Sequence, residues 1–77
     1  MAELLAHLAR QLVDDPDAVE VQEVEQEGTT VLQLRVAKED VGKVIGRQGR
    51  TARAMRTLLE TREDRRGVRH ELEILED

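Results

Sequence analysis

Leu4, Leu5, Leu8 and Leu12 recur at the spacing of one helical stripe, with Ala6 and Ala9 between them. This pattern predicts an amphipathic helix over residues 2–13. Asp14, Asp15, Pro16 and Asp17 end it, because proline cannot continue a helix and aspartate favours turns. Three nearby aspartates invite a cation, but no loop of calcium-binding spacing surrounds them, so a solvated turn is expected. Val19 and Val21 then alternate with Glu20 and Gln22, which predicts a strand with one buried face. Val24 falls one residue out of step, and a bulge or twist near Glu23 would absorb it. Glu27-Gly28 signals a turn, after which Leu32, Leu34 and Val36 alternate with Gln33 and Arg35. The connection is short, so the two strands should form an antiparallel hairpin.

Val41, Val44 and Ile45 suit a short helix that stops at Gly46, and Gly46 and Gly49 bracket a tight loop. From about Arg50 to Arg62 the period is helical again, with Ala52, Met55, Leu58 and Leu59 on one face. At 100° per residue, Arg50, Arg53 and Arg56 occupy roughly the opposite arc. Gly67 closes a charged stretch, and Val68, His70, Leu72 and Ile74 alternate with Arg69, Glu71 and Glu73 as a final strand. The order is αββααβ, an α+β arrangement without internal repeats, and residues 1–77 read as one domain.

Composition tightens this picture. No Phe, Tyr or Trp is present, so the core must come from Leu, Val, Ile, Ala and two Met. A chain this short buries a low fraction of its surface, and oligomerisation is one way to add burial. Cysteine and serine are both absent, which removes disulfides, thiolate metal sites and the usual nucleophiles of covalent catalysis. His7 and His70 are the only histidines, and neither has a nucleophile or metal-ligand spacing beside it. The expectation is therefore no enzyme and no cofactor. The start, Met1-Ala2-Glu3, lacks the features of a signal peptide, and no stretch reaches the roughly 18 apolar residues of a membrane span. A cytoplasmic protein without a membrane partner is expected.

The formal net charge of -5 conceals a polarised chain. Residues 1–40 carry three basic and ten acidic side chains, and residues 60–77 carry four and seven. Between them, residues 41–59 hold Lys43, Arg47, Arg50, Arg53 and Arg56 with no acid. A partner within a Debye length, about 8 Å at physiological salt, responds to that local field and not to the global sum. The plain alternative is a solvated helix face.

The basic run begins at Lys43-Val44-Ile45-Gly46-Arg47-Gln48-Gly49-Arg50. Two glycines three apart permit positive φ angles and keep Cβ atoms away from an approaching ligand. The second glycine opens a helix, whose free N–H groups and dipole favour an anion. Together these features describe a phosphate seat with an arginine track leading away from it. A helix C-cap and a turn are the commoner use of glycines at such places. A nucleotide-binding P-loop does not fit, since Gly42-Lys43 is followed by Val44 and not by Ser or Thr.

Val44-Ile45-Gly46-Arg47-Gln48-Gly49 resembles the signature of KH domains, in which this loop joins two helices and clamps about four backbone nucleotides. The stretch from Val41 to Leu59 is similar to the KhpA (YlqC-like) family of small bacterial single-KH proteins, and the element order matches the type II arrangement. The resemblance implies a three-stranded sheet with three helices on one face. It implies a narrow groove for single-stranded RNA or DNA, with Gly46 and Gly49 presenting backbone to phosphates and Arg47 and Gln48 at the loop tip. Val41, Val44 and Ile45 would form the apolar floor, partly core and partly base contact. Lys43, Ile45, Gly46, Arg47, Gln48, Gly49, Arg50 and Arg53 are the RNA-binding set so expected. The family resemblance further implies an RNA chaperone that pairs with itself or with a larger KH-containing protein, and a link to cell shape and cell-wall biogenesis.

Without aromatic side chains, the roughly 1–3 kcal/mol per base of stacking is missing, so affinity should lean on phosphates and discriminate poorly between sequences. A competing expectation is an interaction module that keeps the KH fold for dimerisation, with RNA contact incidental.

Overall fold

A computed structural model describes residues 1–60 and 69–76 of the chain. Helix α1 spans Ala2–Leu12, strand β1 Glu20–Gln26, strand β2 Thr29–Arg35, helix α2 Val41–Ile45, helix α3 Arg50–Glu60 and strand β3 Arg69–Ile74. The expected end of α3 at Arg62, and the roles of Gly67 and Val68, lie outside the described residues. Short 3-10 turns cover Pro16–Ala18, Lys38–Asp40 and Arg47–Gly49. The sheet order is β1-β2-β3, with β1 antiparallel to β2 and β2 parallel to β3. This is an α+β fold of three strands and three helices, consistent with the type II KH arrangement.

The hairpin turns on Glu27 (φ 49°) and Gly28 (φ 81°). Two consecutive positive φ angles give the two-residue turn whose twist matches the flanking strands. The ladder from Glu20↔Arg35 to Gln26↔Thr29 is unbroken, so the bulge expected near Glu23 does not form. Val24 instead lies directly opposite Val31, on the sheet face away from the core. The out-of-step valine thus marks an apolar pair across the second face, and pairing there shields Val31 to 9% exposure.

The other face carries the core. Leu32 and Leu34 of the central strand are fully buried, alongside Leu72 of β3 and Val19 and Val36 at the strand ends. Helix α1 covers them with Leu5, Ala6 and Ala9, α2 with Val44, and α3 with Met55 and Leu59. Small alanines let α1 approach the sheet closely. The face it buries is therefore rotated from the expected leucine stripe: Leu4 and Leu8 are half-buried and Leu12 is 40% exposed. Leu58 departs from expectation in the same way. It is 42% exposed, because Ala52, Met55 and Leu59 already define the inward arc of α3.

Candidate functional site

The loop between α2 and α3 is built from two different kinds of glycine. Gly46 (φ 77°, ψ 171°) caps α2, its N–H donating to the Gly42 carbonyl at 2.9 Å. A Cβ at this position would lie 2.7 Å from Thr51 Cβ and 2.9 Å from Thr51 N, inside contact distance of the α3 backbone. Gly46 is thus required by packing within the protein. Gly49 (φ 74°) donates to the Gly46 carbonyl at 3.1 Å, and a Cβ there would meet open space. Its bare face is directed outward, where a ligand chain can come close. Both glycines hold the positive φ angles that the sequence predicts.

Between them, Arg47 and Gln48 are exposed at the tip, and Gln48 is itself left-handed (φ 57°, ψ 24°). An L-residue in that region costs roughly 1–2 kcal/mol, so the tip holds a conformation that the helices on either side must enforce. The Arg50 guanidinium donates to Gln48 Oε1 at 3.2 Å, linking the tip to the first turn of α3. Arg50 and Arg53 are exposed and flank an open depression lined also by Ala54, Thr57 and Leu58. Among the described residues, no carboxylate pairs with Arg47, Arg50 or Arg53.

Lys43 stands apart from this set. Its ammonium binds the Asp14 carboxylate and donates to Asp40 Oδ1 at 3.2 Å. Asp40 is 2% exposed and also accepts from the Asp15 N–H at 3.1 Å. Burial pushes the Asp40 carboxyl up, but hydrogen bonds from the Asp15 N–H, the Lys43 ammonium and the Asp14 N–H outweigh it, leaving its pKa below the ordinary value. The hydrogen bonds to Asp14 and Asp40 raise the Lys43 ammonium above the ordinary lysine value. The apolar floor is also divided. Val44 is fully buried in the core, out of reach of a ligand, and Val41 packs against that core. Ile45 is half-buried at the surface of α2.

Asp14, Asp40 and Thr51 are the residues that sequence reasoning missed. The three-residue spacing of Asp40 and Lys43 was a visible signal for one pair, whereas the contact from Asp14 spans a fold. His7 is exposed on α1, and His70 lies on β3 with its buried Nδ1 lacking a partner among the described residues. Among those residues no group of His, Asp or Glu is arranged to hold a metal ion. No described helix is long and apolar enough to cross a membrane.

The model of the family described as "KhpA/KhpB, KH domain" matches residues 2–74. The chain belongs to the KhpA/KhpB KH-domain family. Its relatives include an "RNA-binding protein KhpA" of Treponema pallidum (strain Nichols), 54% identical over 74 residues that cover 96% of this chain and 92% of the relative. The KhpA of Chlamydia pneumoniae is 47% identical over 77 residues, covering 100% and 99%. That of Clostridium acetobutylicum is 47% identical over 75 residues, covering 97% and 100%. No solved structure gives a significant match. The names of these KhpA relatives describe RNA binding.

Proposed function

We propose that this chain binds single-stranded RNA in the cytoplasm, holding the backbone against the Gly46-Arg47-Gln48-Gly49 loop and acting as an RNA chaperone of low sequence specificity. The observation that carries the reading is the outward-facing Gly49, with nothing within 4 Å of its missing side chain, beside three arginines free of described carboxylates. The RNA-binding names of the KhpA relatives support the same partner class. Gly49 lets the phosphate chain approach, Arg47, Arg50 and Arg53 neutralise it, and the first N–H groups of α3 face it. Ile45, half-buried at the surface of α2, supplies an aliphatic contact for a base.

Replacing Arg47 and Gln48 together by Asp tests the reading. Asp tolerates the left-handed region, so the fold should persist, while two added negative charges at the tip should abolish binding measured by fluorescence anisotropy. A folded double variant with wild-type affinity would remove the loop from the mechanism. The docking-module alternative predicts no salt-dependent gel shift with single-stranded RNA.

Pairing belongs to the same reading, because it would add burial to a chain this short. A second copy is the partner that a small, aromatic-free core calls for, and pairing would raise avidity without new RNA contacts. The family resemblance extends that role to a larger KH-containing protein.

A further inference from the structure

We propose that the Asp14–Lys43–Asp40 bridge is a positioning device for the loop, in which Lys43 is a strut between the α1–β1 connection and α2 and not a phosphate ligand. The inference rests on the reading that this loop binds RNA.

Helix α2 has five residues and one fully buried side chain, Val44. So short a helix cannot hold its own orientation, since nucleation is costly and few hydrogen bonds repay it. Glycine within it, at Gly42, and after it, at Gly46, loosens it further. Yet its last residue sets the direction from which Gly46 begins the loop. What fixes its other end is Asp40, a carboxylate held from 25 positions away by the Asp15 N–H. Lys43, one turn before Gly46, closes the bridge by joining that buried carboxylate to Asp14. Two segments distant in sequence are thereby tied to the helix that carries the loop.

The same contacts argue against Lys43 as a phosphate ligand. Its one positive charge faces two carboxylates, so the local sum there is negative. Drawing the ammonium away to a phosphate would leave Asp40 buried without its cation, which is strongly unfavourable. Arg47, Arg50 and Arg53 have no such engagement among the described residues.

Anisotropy titrations with a single-stranded RNA over a range of salt, on full-length wild type, Lys43→Met, Lys43→Arg and Arg50→Gln, together with 1H–15N spectra of the free proteins, test this. A strut predicts that Lys43→Met weakens binding about fivefold through lost preorganisation, with an unchanged salt slope. It also predicts displaced Gly46 and Gly49 amide resonances in the absence of RNA, and recovery in Lys43→Arg. Arg50→Gln should reduce the slope by about 0.7. The proposal is overturned if Lys43→Met lowers the slope by that amount with unmoved loop resonances, or binds as wild type does. Should Lys43→Met lose its dispersed spectrum, Asp14→Asn decides: a strut gives equal or weaker binding, a withheld phosphate ligand gives tighter binding. Wild-type affinity in the Arg47/Gln48 double variant would instead sink the loop reading itself, leaving the spectral test of the strut standing.

Discussion

At residue scale, Gly46 and Gly49 look equivalent in the sequence but answer to different neighbours. Both occupy positive φ, so alanine costs about 1–2 kcal/mol at Gly49 and at least that at Gly46, whose ψ of 171° lies in a region essentially confined to glycine. Only at Gly46 would the new Cβ also press on Thr51, whose backbone nitrogen cannot yield without moving α3. Overpacking adds about 1–3 kcal/mol, so Gly46→Ala should lose roughly 2–5 kcal/mol and Gly49→Ala about half as much or less. A core of this size supplies only about 3–5 kcal/mol, and urea titration should therefore find Gly46→Ala largely unfolded and Gly49→Ala folded. Asp40 and Lys43 carry a pH signature. The Asp40 contribution is complete above its ordinary value of 3.8 and disappears as pH falls through the lower folded value. The Lys43 contribution is complete below 10.5 and disappears as pH rises through the higher folded value. Urea midpoints of Asp40→Asn should accordingly vary less than wild type across the acid limb. The glycines and arginines of the site were legible because their residue types state their chemistry. Asp14 was not, because its partner is fixed only by tertiary contact.

Among the elements, α3 joins core to site. Ala52, Met55 and Leu59 anchor it, and its outer arc presents the arginines in a line from the loop. If Arg47, Arg50 and Arg53 are the phosphate contacts, the slope of log K against log salt should be roughly -2, and each Arg→Gln change should subtract about 0.7. A slope insensitive to all three would contradict the arginine track. The strands and helices were readable from period alone, but the buried arc of each helix was not. In α1 the leucines outnumber the alanines, yet close approach to the sheet gave Leu5, Ala6 and Ala9 the interior and left Leu12 outside. In β1 the broken alternation suggests a bulge or a twist, whereas the valine has a partner on the far face.

At the scale of the whole molecule, the net charge of -5 is unevenly spread, with five basic side chains and no acid in residues 41–59. The sheet face away from the helices carries Glu20, Gln22, Glu71 and Glu73 around Val24 and Val31, with Arg35 opposite Glu20 and Arg69 beside Thr29. Self-pairing should make the protein sediment at twice 8.8 kDa at micromolar concentration, and a monomer alone in analytical ultracentrifugation would count against it. The central claim is where RNA lies, and a 1H–15N titration of the labelled protein with a single-stranded oligonucleotide addresses it most directly. Amide shifts concentrated from Ile45 to Arg53, with Val24, Val31 and Glu71 unmoved, are the predicted result. Shifts centred on the open sheet face, or none at any residue, would contradict it.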